Sequence, residues 1–423
     1  MIDNPITKSW PTFSQRLQDC VHCGFCLPAC PTYQLWGQEA DSPRGRIHLM
    51  KQNHEGIIPM DSIFKQHIDA CLGCMSCVSA CPSGVRYDEL IEHTRASLED
   101  NYQRPPFDRA FRKFLFSIFP YPKRVRVAAV MGIVANKIGA NKLASFDPRL
   151  KALTSVMPDK KLAQVLRPAT KSASAKGDKR LRVGILSGCV QRVYFSQVNQ
   201  ATIDVLTAEG IEVVSPTQQN CCGALEFHSG EADSAIEKAK LTIEAFEKEN
   251  VDAIVVNAAG CGSSMKDYGR LLADDPIYAQ RALEFSEKVE DISEFLSRIT
   301  PRAKRNRIDL KVAYQDPCHL LHAQQISSQP RKMILQIPGI ELIDLQEPNI
   351  CCGSAGIYNL VEPETGAELG RRKAAIIKEA NPQIVASANP GCTLQLQRYL
   401  DKEVKVIHWI ELLQASILNK PLV

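Results

Sequence analysis

LRVGILSGC (residues 181–189) and LKVAYQDPC (310–318) are two copies of one pattern, an apolar, β-branched run that ends at a cysteine. The likeness continues downstream. NCCGA (220–224) matches ICCGS (350–354), and VVNAAGC (255–261) matches VASANPGC (385–392). Cys189, Cys221, Cys222 and Cys261 thus recur as Cys318, Cys351, Cys352 and Cys392, at offsets of 129, 130 and 131 residues. An internal duplication is the simplest account. Within the first copy, 183–186 reads as a strand, 198–209 as a helix, 211–214 as a second strand, 232–249 as a helix and 253–257 as a third strand. Strands that alternate with helices predict an α/β fold with parallel sheets, whose sites lie at the carboxyl ends of the strands. All four cysteines of a copy are then expected on loops at one end of its sheet. Gly223 and Gly353, after the paired cysteines, allow close backbone approach.

The other eight of the 16 cysteines stand upstream in CVHCGFCLPACP (20–31) and CLGCMSCVSACP (71–82). Each run reads C-x2-C-x2-C-x3-C-P, the spacing of bacterial two-cluster ferredoxins. Three cysteines two residues apart wrap one tight loop around three corners of an iron–sulfur cube. The fourth points away, toward the other cluster. This predicts crossed ligation: Cys20, Cys23, Cys26 and Cys81 around one [4Fe–4S] cluster, and Cys71, Cys74, Cys77 and Cys30 around the second. Structural zinc instead uses pairs of CxxC separated by a longer loop. A disulfide framework suits an oxidising compartment.

The chain has 423 residues, 44% hydrophobic and 6% aromatic. That length suggests roughly three domains of ~150 residues, and the apolar content excludes disorder as a whole-chain reading. The best apolar run, 127–135, has 9 residues, against the ~20 that span a bilayer. The opening MIDNPITKSW lacks a basic stretch followed by an apolar one, so no secretory signal is expected and a cytoplasmic location is. The net charge of +4 is unevenly spread: residues 1–103 carry 8 Lys/Arg and 12 Asp/Glu, 104–182 carry 19 and 4, and 183–423 carry 24 and 31. The expected units are an α-rich two-cluster ferredoxin-type domain (1–103), a basic connector with prolines and aromatics (104–180), and two cysteine-rich α/β domains (181–306 and 307–423).

CVHCGFCLPACPTYQLWGQEADSPRGRIHLMK (20–51), CLGCMSCVSACPSGVRYDELI (71–91) and the two CCG repeats resemble the iron–sulfur subunits of bacterial glycolate oxidase over nearly the whole chain. The wider family includes lactate-utilisation and anaerobic glycerol-3-phosphate dehydrogenase iron–sulfur subunits, and heterodisulfide reductase. In the heterodisulfide reductases the repeat ends in CxxC and offers five thiolates. Here Ala258 and Asn389 stand where the first cysteine of that pair would be. Four thiolates per copy still match a four-iron cluster, so both sets are candidates for one or two further clusters. Disulfide-cleaving chemistry on five thiolates is disfavoured.

No G-x-G-x-x-G occurs, and no extended flavin-binding region is visible, so neither NAD nor FAD is expected on this chain. Iron–sulfur clusters move single electrons, whereas an α-hydroxy acid gives up a hydride to a flavin or nicotinamide. The chain itself is therefore expected to lack catalytic residues. The resemblance implies FAD-carrying partner subunits that oxidise glycolate to glyoxylate, with electrons passing through this chain to a quinone-type acceptor. A lactate or glycerol-3-phosphate dehydrogenase subunit is the alternative. His22, His228, His319 and His322 lie beside cysteines, where they either tune a cluster or simply hydrogen-bond a loop or helix start. Arg44 and Arg46 either offset the charge of a reduced cluster or cap a surface turn. The basic middle segment has no helix-turn-helix pattern, so nucleic acid is not expected. Residues 104–142 carry 9 Lys/Arg and a single acid, Asp108, among Phe107, Phe111, Phe114, Phe116, Phe119 and Tyr121. They suggest peripheral contact with the inner face of the cytoplasmic membrane, or packing of the aromatics against the cluster domain or a partner subunit with the cations solvated. Pro105, Pro106, Pro120 and Pro122 limit the expected helix there to about 108–119.

Overall fold

A computed structural model describes residues 13–138, 147–156, 162–168 and 170–422. The opening decapeptide and the last residues of the basic stretch, 139–142, lie outside them. The second half of the chain carries two four-stranded sheets. The first runs β2-β1-β3-β4, with β1 Leu181–Ile185, β2 Ile211–Val214, β3 Ala253–Val256 and β4 Val289–Asp291. The second runs β6-β5-β7-β8, with β5 Leu310–Tyr314, β6 Ile340–Ile343, β7 Ile384–Ser387 and β8 Lys405–His408. Every ladder is parallel, as βαβ crossovers require. Each copy has one strand more than its sequence suggested. VED (289–291) and KVIH (405–408) are too short to signal by alternation.

The register places Val183 beside both Val213 and Ala253, and side chains alternate between faces along each strand. Val183, Ile185, Val213 and Val255 of the first sheet share one core with Val312, Tyr314, Ile384 and Ala386 of the second. Helices between the sheets pair reciprocally. Ser196–Ala208 of the first copy packs on Trp409–Leu418 of the second, and Ile292–Arg298 packs on Ser328–Leu335. The opposite faces build a separate core in each copy.

Upstream, helices Pro43–His54, Ser62–Asp69 and Tyr87–Asn101 enclose Leu17, Ile47, Met50, Phe64, Ile68 and Leu90. Two helices follow where one was expected, Pro106–Ile118 and Pro122–Lys137. Proline is tolerated in the first helical turn, so Pro106 and Pro122 start these helices. Phe111 and Leu115 pack on Ile357, Leu360 and Val361 of the second copy, while Val125 and Ala129 join the shared core. The cations of this segment are only partly solvated. Arg104 and Arg112 are buried against Asp69, Glu99 and Asp108, and Arg149 meets Asp108 at 2.8 Å. Phe107, Phe114 and Tyr121 are exposed, and apolar exposure continues along Val127, Met131 and Val134, which share a helix face, to Ile138 at its C-cap. Among the described residues no helix is long and apolar enough to cross a membrane.

Candidate iron–sulfur sites

The loop around the first cysteine run is braced by DSPRGRI (41–47). Ser42 accepts the Gly45 backbone N–H at 3.0 Å and Pro43 starts the helix, so Arg44 and Arg46 leave its first turn in fixed directions. Cys20, Cys23, Cys26 and Cys81 line one cavity together with Cys77. Cys71, Cys74, Cys77 and Cys30 line a second. Each cavity thus meets the first three cysteines of one run and the last cysteine of the other, and the first is bordered by Cys77 as well. Cys30 owes its placement to Pro31, which opens the short helix Pro31–Trp36, and to contacts of its Sγ with Thr32 Oγ1 (3.2 Å) and the Asp41 carbonyl (3.7 Å).

Four thiols around a cavity are the donor set of a four-iron cluster. A structural zinc would need all four donors within about 2.3 Å of one point, and among the described residues no three His, Cys, Asp or Glu side chains form a single-ion site. The surroundings of the two cavities differ. Cys23 is exposed, whereas Cys30, Cys71, Cys74 and Cys77 are all buried. Burial pushes the Cys74 and Cys77 thiols well up. At Cys71 burial acts the same way, but Arg46, Arg95 and hydrogen bonds from Tyr87 and Gly73 outweigh it and hold the thiol below its ordinary value. Arg46 is no surface cap: it is buried, donating to the His67 carbonyl at 2.6 Å and to Asp41 Oδ1 at 3.3 Å. Arg44 is partly exposed and pairs with Glu39.

In each repeat the four cysteines gather at the carboxyl ends of the strands, though not all on loops. Cys189 and Cys318 cap the elements after β1 and β5, the CC pairs follow β2 and β6, and Cys261 and Cys392 lie inside helices Ala259–Lys266 and Pro390–Tyr399. The Cys189 and Cys221 sulfurs are 3.5 Å apart. Electrostatic interaction also links Cys221 to Cys222 and Cys222 to Cys261, and the second copy repeats the series from Cys318 through Cys351 and Cys352 to Cys392. Two features escaped the sequence. Lys373 is fully buried and donates to the Pro348 carbonyl at 2.9 Å, close enough to lower the Cys352 thiol after its sulfur neighbours have done so. Asn389 donates to Cys392 Sγ at 3.5 Å and accepts the Gly260 N–H at 3.4 Å.

Three of the four histidines hold the units together. His319 Nε2 lies 2.9 Å from the Gly73 carbonyl, His322 Nδ1 2.7 Å from Ser79 Oγ, and His228 Nδ1 3.0 Å from Glu92. Burial pushes His228 and His319 down to about 4, so both are neutral near pH 7. His22 is exposed in the first loop with φ 54°, its carbonyl held by Arg44 at 3.0 Å.

Comparison with known families gives a 4Fe-4S dicluster domain over 16–85 and a cysteine-rich domain over 183–266 and again over 312–397. The chain is 36% identical over 421 residues to the probable glycolate oxidase iron–sulfur subunit of Bacillus subtilis, covering 96% of this chain and 95% of that one. It belongs to the glycolate oxidase iron–sulfur subunit family. Likeness to the Escherichia coli glycolate oxidase iron–sulfur subunit is 34% over 404 residues, with 95% and 94% covered. A crystal structure of a hypothetical protein from Helicobacter pylori superposes with a TM-score of 0.57 at 8% identity, over 99% of this chain and 77% of that one. That likeness concerns the fold alone. Membership in the glycolate oxidase family makes the chain an iron–sulfur electron-transfer subunit of an oxidoreductase complex.

Proposed function

We propose that this chain carries electrons from FAD-bearing partner subunits, which oxidise glycolate to glyoxylate, to a quinone-type acceptor. Cys20, Cys23, Cys26 and Cys81 hold one [4Fe–4S] cluster, and Cys71, Cys74, Cys77 and Cys30 the other. The observation that carries this reading is the exchange of the last cysteine of each run between the two cavities. When bound, such clusters accept and release one electron at a time. The chain's own residues fix the thiols, exclude water from the inner set and hold the repeats against it: Cys74 belongs to one buried cluster with Cys351, and Cys318 packs against that cluster. The repeat cysteines supply one or two further four-thiolate sites. Exposed Val127, Met131, Val134 and Ile138, beside exposed Lys123, Arg124 and Lys137, support peripheral attachment of a cytoplasmic complex to anionic lipid.

The test is anaerobic purification with iron and sulfide analysis. The two N-terminal sets account for about eight irons, at four per cubane. Cys30→Ser or Cys77→Ser is expected to remove one paramagnetic signal, and Cys221→Ser with Cys222→Ser only iron beyond the eight. Glycolate-dependent dye reduction is expected only when flavoprotein partners are co-expressed. Stoichiometric zinc without sulfide, or turnover by the FAD-free chain alone, overturns the reading.

A further inference from the structure

The two N-terminal thiol sets differ in more than exposure. At the outer one, Cys23 meets solvent and the cation at the rim, Arg44, is matched by Glu39 at 2.7 Å. The inner set is closed and has cations of another kind. Arg46 lines its cavity while only 1% exposed, and it shares the Asp41 carboxylate with His67, whose Nδ1 lies 2.9 Å from Asp41 Oδ1. Arg95, from helix Tyr87–Asn101, stands outside the cavity, behind Cys71. It donates to the carbonyl oxygens of Cys71 and His228 and forms no ion pair among the described residues. Cys71 Sγ itself accepts the Gly73 N–H at 3.4 Å and the Tyr87 hydroxyl at 3.5 Å.

A cluster on four thiolates is already anionic, and reduction adds one more negative charge. Burial alone opposes that step, because a low-dielectric site penalises added charge. Nearby cations and hydrogen bonds to sulfur favour it, and both act more strongly where water is excluded. At the inner set Arg46 lines the cavity, Arg95 holds the Cys71 carbonyl and the Tyr87 hydroxyl donates to Cys71 Sγ, although the Tyr87 ring also borders the outer cavity; one carboxylate, Asp41, stands against Arg46. The outer set has a single cation, already neutralised. We propose that Arg46, Arg95 and Tyr87 make the inner cluster the higher-potential member of the pair, so that an electron entering at exposed Cys23 comes to rest beside the second repeat. This rests on the two-cluster reading given above. In the step, a reduced flavin of a partner subunit gives up one electron, one ferric centre becomes ferrous, and no atom or proton moves. Cys77 lines both cavities, and Cys74 shares a buried cluster with Cys351, against which Cys318 packs, so the direction is inward along the chain's own thiol sets.

The experiment is a dithionite titration of the anaerobically purified holo-chain, following both paramagnetic signals against potential. Tyr87→Phe removes one hydroxyl and keeps the ring, and Arg95→Gln removes the unmatched charge. Each is expected to lower the higher of the two midpoints and leave the lower in place, while Arg44→Gln leaves the higher one unchanged. Full iron content with both midpoints unmoved in Tyr87→Phe and Arg95→Gln, or with only the lower one moved, overturns the ordering and leaves the two-cluster reading standing. A wild-type chain well short of eight irons overturns both.

Discussion

Asn389 occupies the position where a cysteine would complete a CxxC pair, and one amide does two jobs there that a thiol does poorly. It donates to Cys392 and accepts from Gly260 of the other repeat. The sequence shows the missing cysteine; the link between copies is invisible in it, because its partner lies 129 residues away. Lys373 was hidden for a related reason, since a lysine within a long helix ordinarily reads as solvated. The CC-Gly turns were legible as to residue type, though not as to tolerance. Gly223 and Gly353 both have φ +80°, but a Cβ at Gly223 would lie 3.1 Å from the Ala235 carbonyl oxygen, and one at Gly353 would lie 2.5 Å from that of Gly366. An alanine in the left-handed region costs about 1–2 kcal/mol by itself. Gly223→Ala is therefore expected to lose about that much, and Gly353→Ala clearly more, because backbone must shift there. Urea midpoints of the two variants check the order; equal losses would mean that the second turn relaxes freely.

Helix ends show how far local reading reaches. Pro43, Pro106 and Pro122 all stand in first turns. Reading Pro122 as a breaker missed the helix it begins. The last helix, Trp409–Leu418, starts with a histidine in place of the usual Ser, Thr, Asp or Asn. His408 Nδ1 accepts the Ile410 N–H at 3.1 Å, and Glu411 accepts the His408 N–H at 2.9 Å. A protonated Nδ1 cannot accept, and burial already pushes His408 down to about 3. The unfolded chain takes up this proton near pH 6.5, whereas the native chain does not. The contribution of this cap is therefore fully present above about pH 6.5 and is lost as pH falls toward 3. His408→Asn keeps a capping acceptor without the proton. Between pH 7 and 5 wild type is expected to lose stability relative to this variant, by up to about 1.4 kcal/mol per pH unit. Urea unfolding at pH 7, 6 and 5 measures the gap, and parallel curves would remove the proton linkage.

Across the whole molecule, the duplication and the ferredoxin-type spacing could be read directly, because both repeat residue types at fixed separations. How the units meet could not. Apolar strands such as Ala253–Val256 look alike whether they face a helix or a second sheet, so the core shared by the two repeats left no separate trace. The charge of the middle segment was plain, yet Asp69, the buried partner of Arg104 and Arg112, lies more than thirty residues upstream. The contact between the N-terminal unit and the first repeat is polar in the same way. Glu92, with its side chain 5% exposed, meets Arg270 at 2.8 Å and His228 at 3.0 Å. His228 is neutral there, so Arg270 is the cation that compensates Glu92 directly, while also binding Asp267. Removing one partner of a buried pair costs about 3–5 kcal/mol, whereas removing both charges costs far less. Arg270→Met is thus expected to destabilise strongly and to raise hydrogen exchange along helix Tyr87–Asn101. Adding Glu92→Gln to it is expected to restore part of the loss, the remainder being Asp267, whose side chain is 31% exposed and can be solvated. A double variant no more stable than Arg270→Met would show that the pair does not couple the two units.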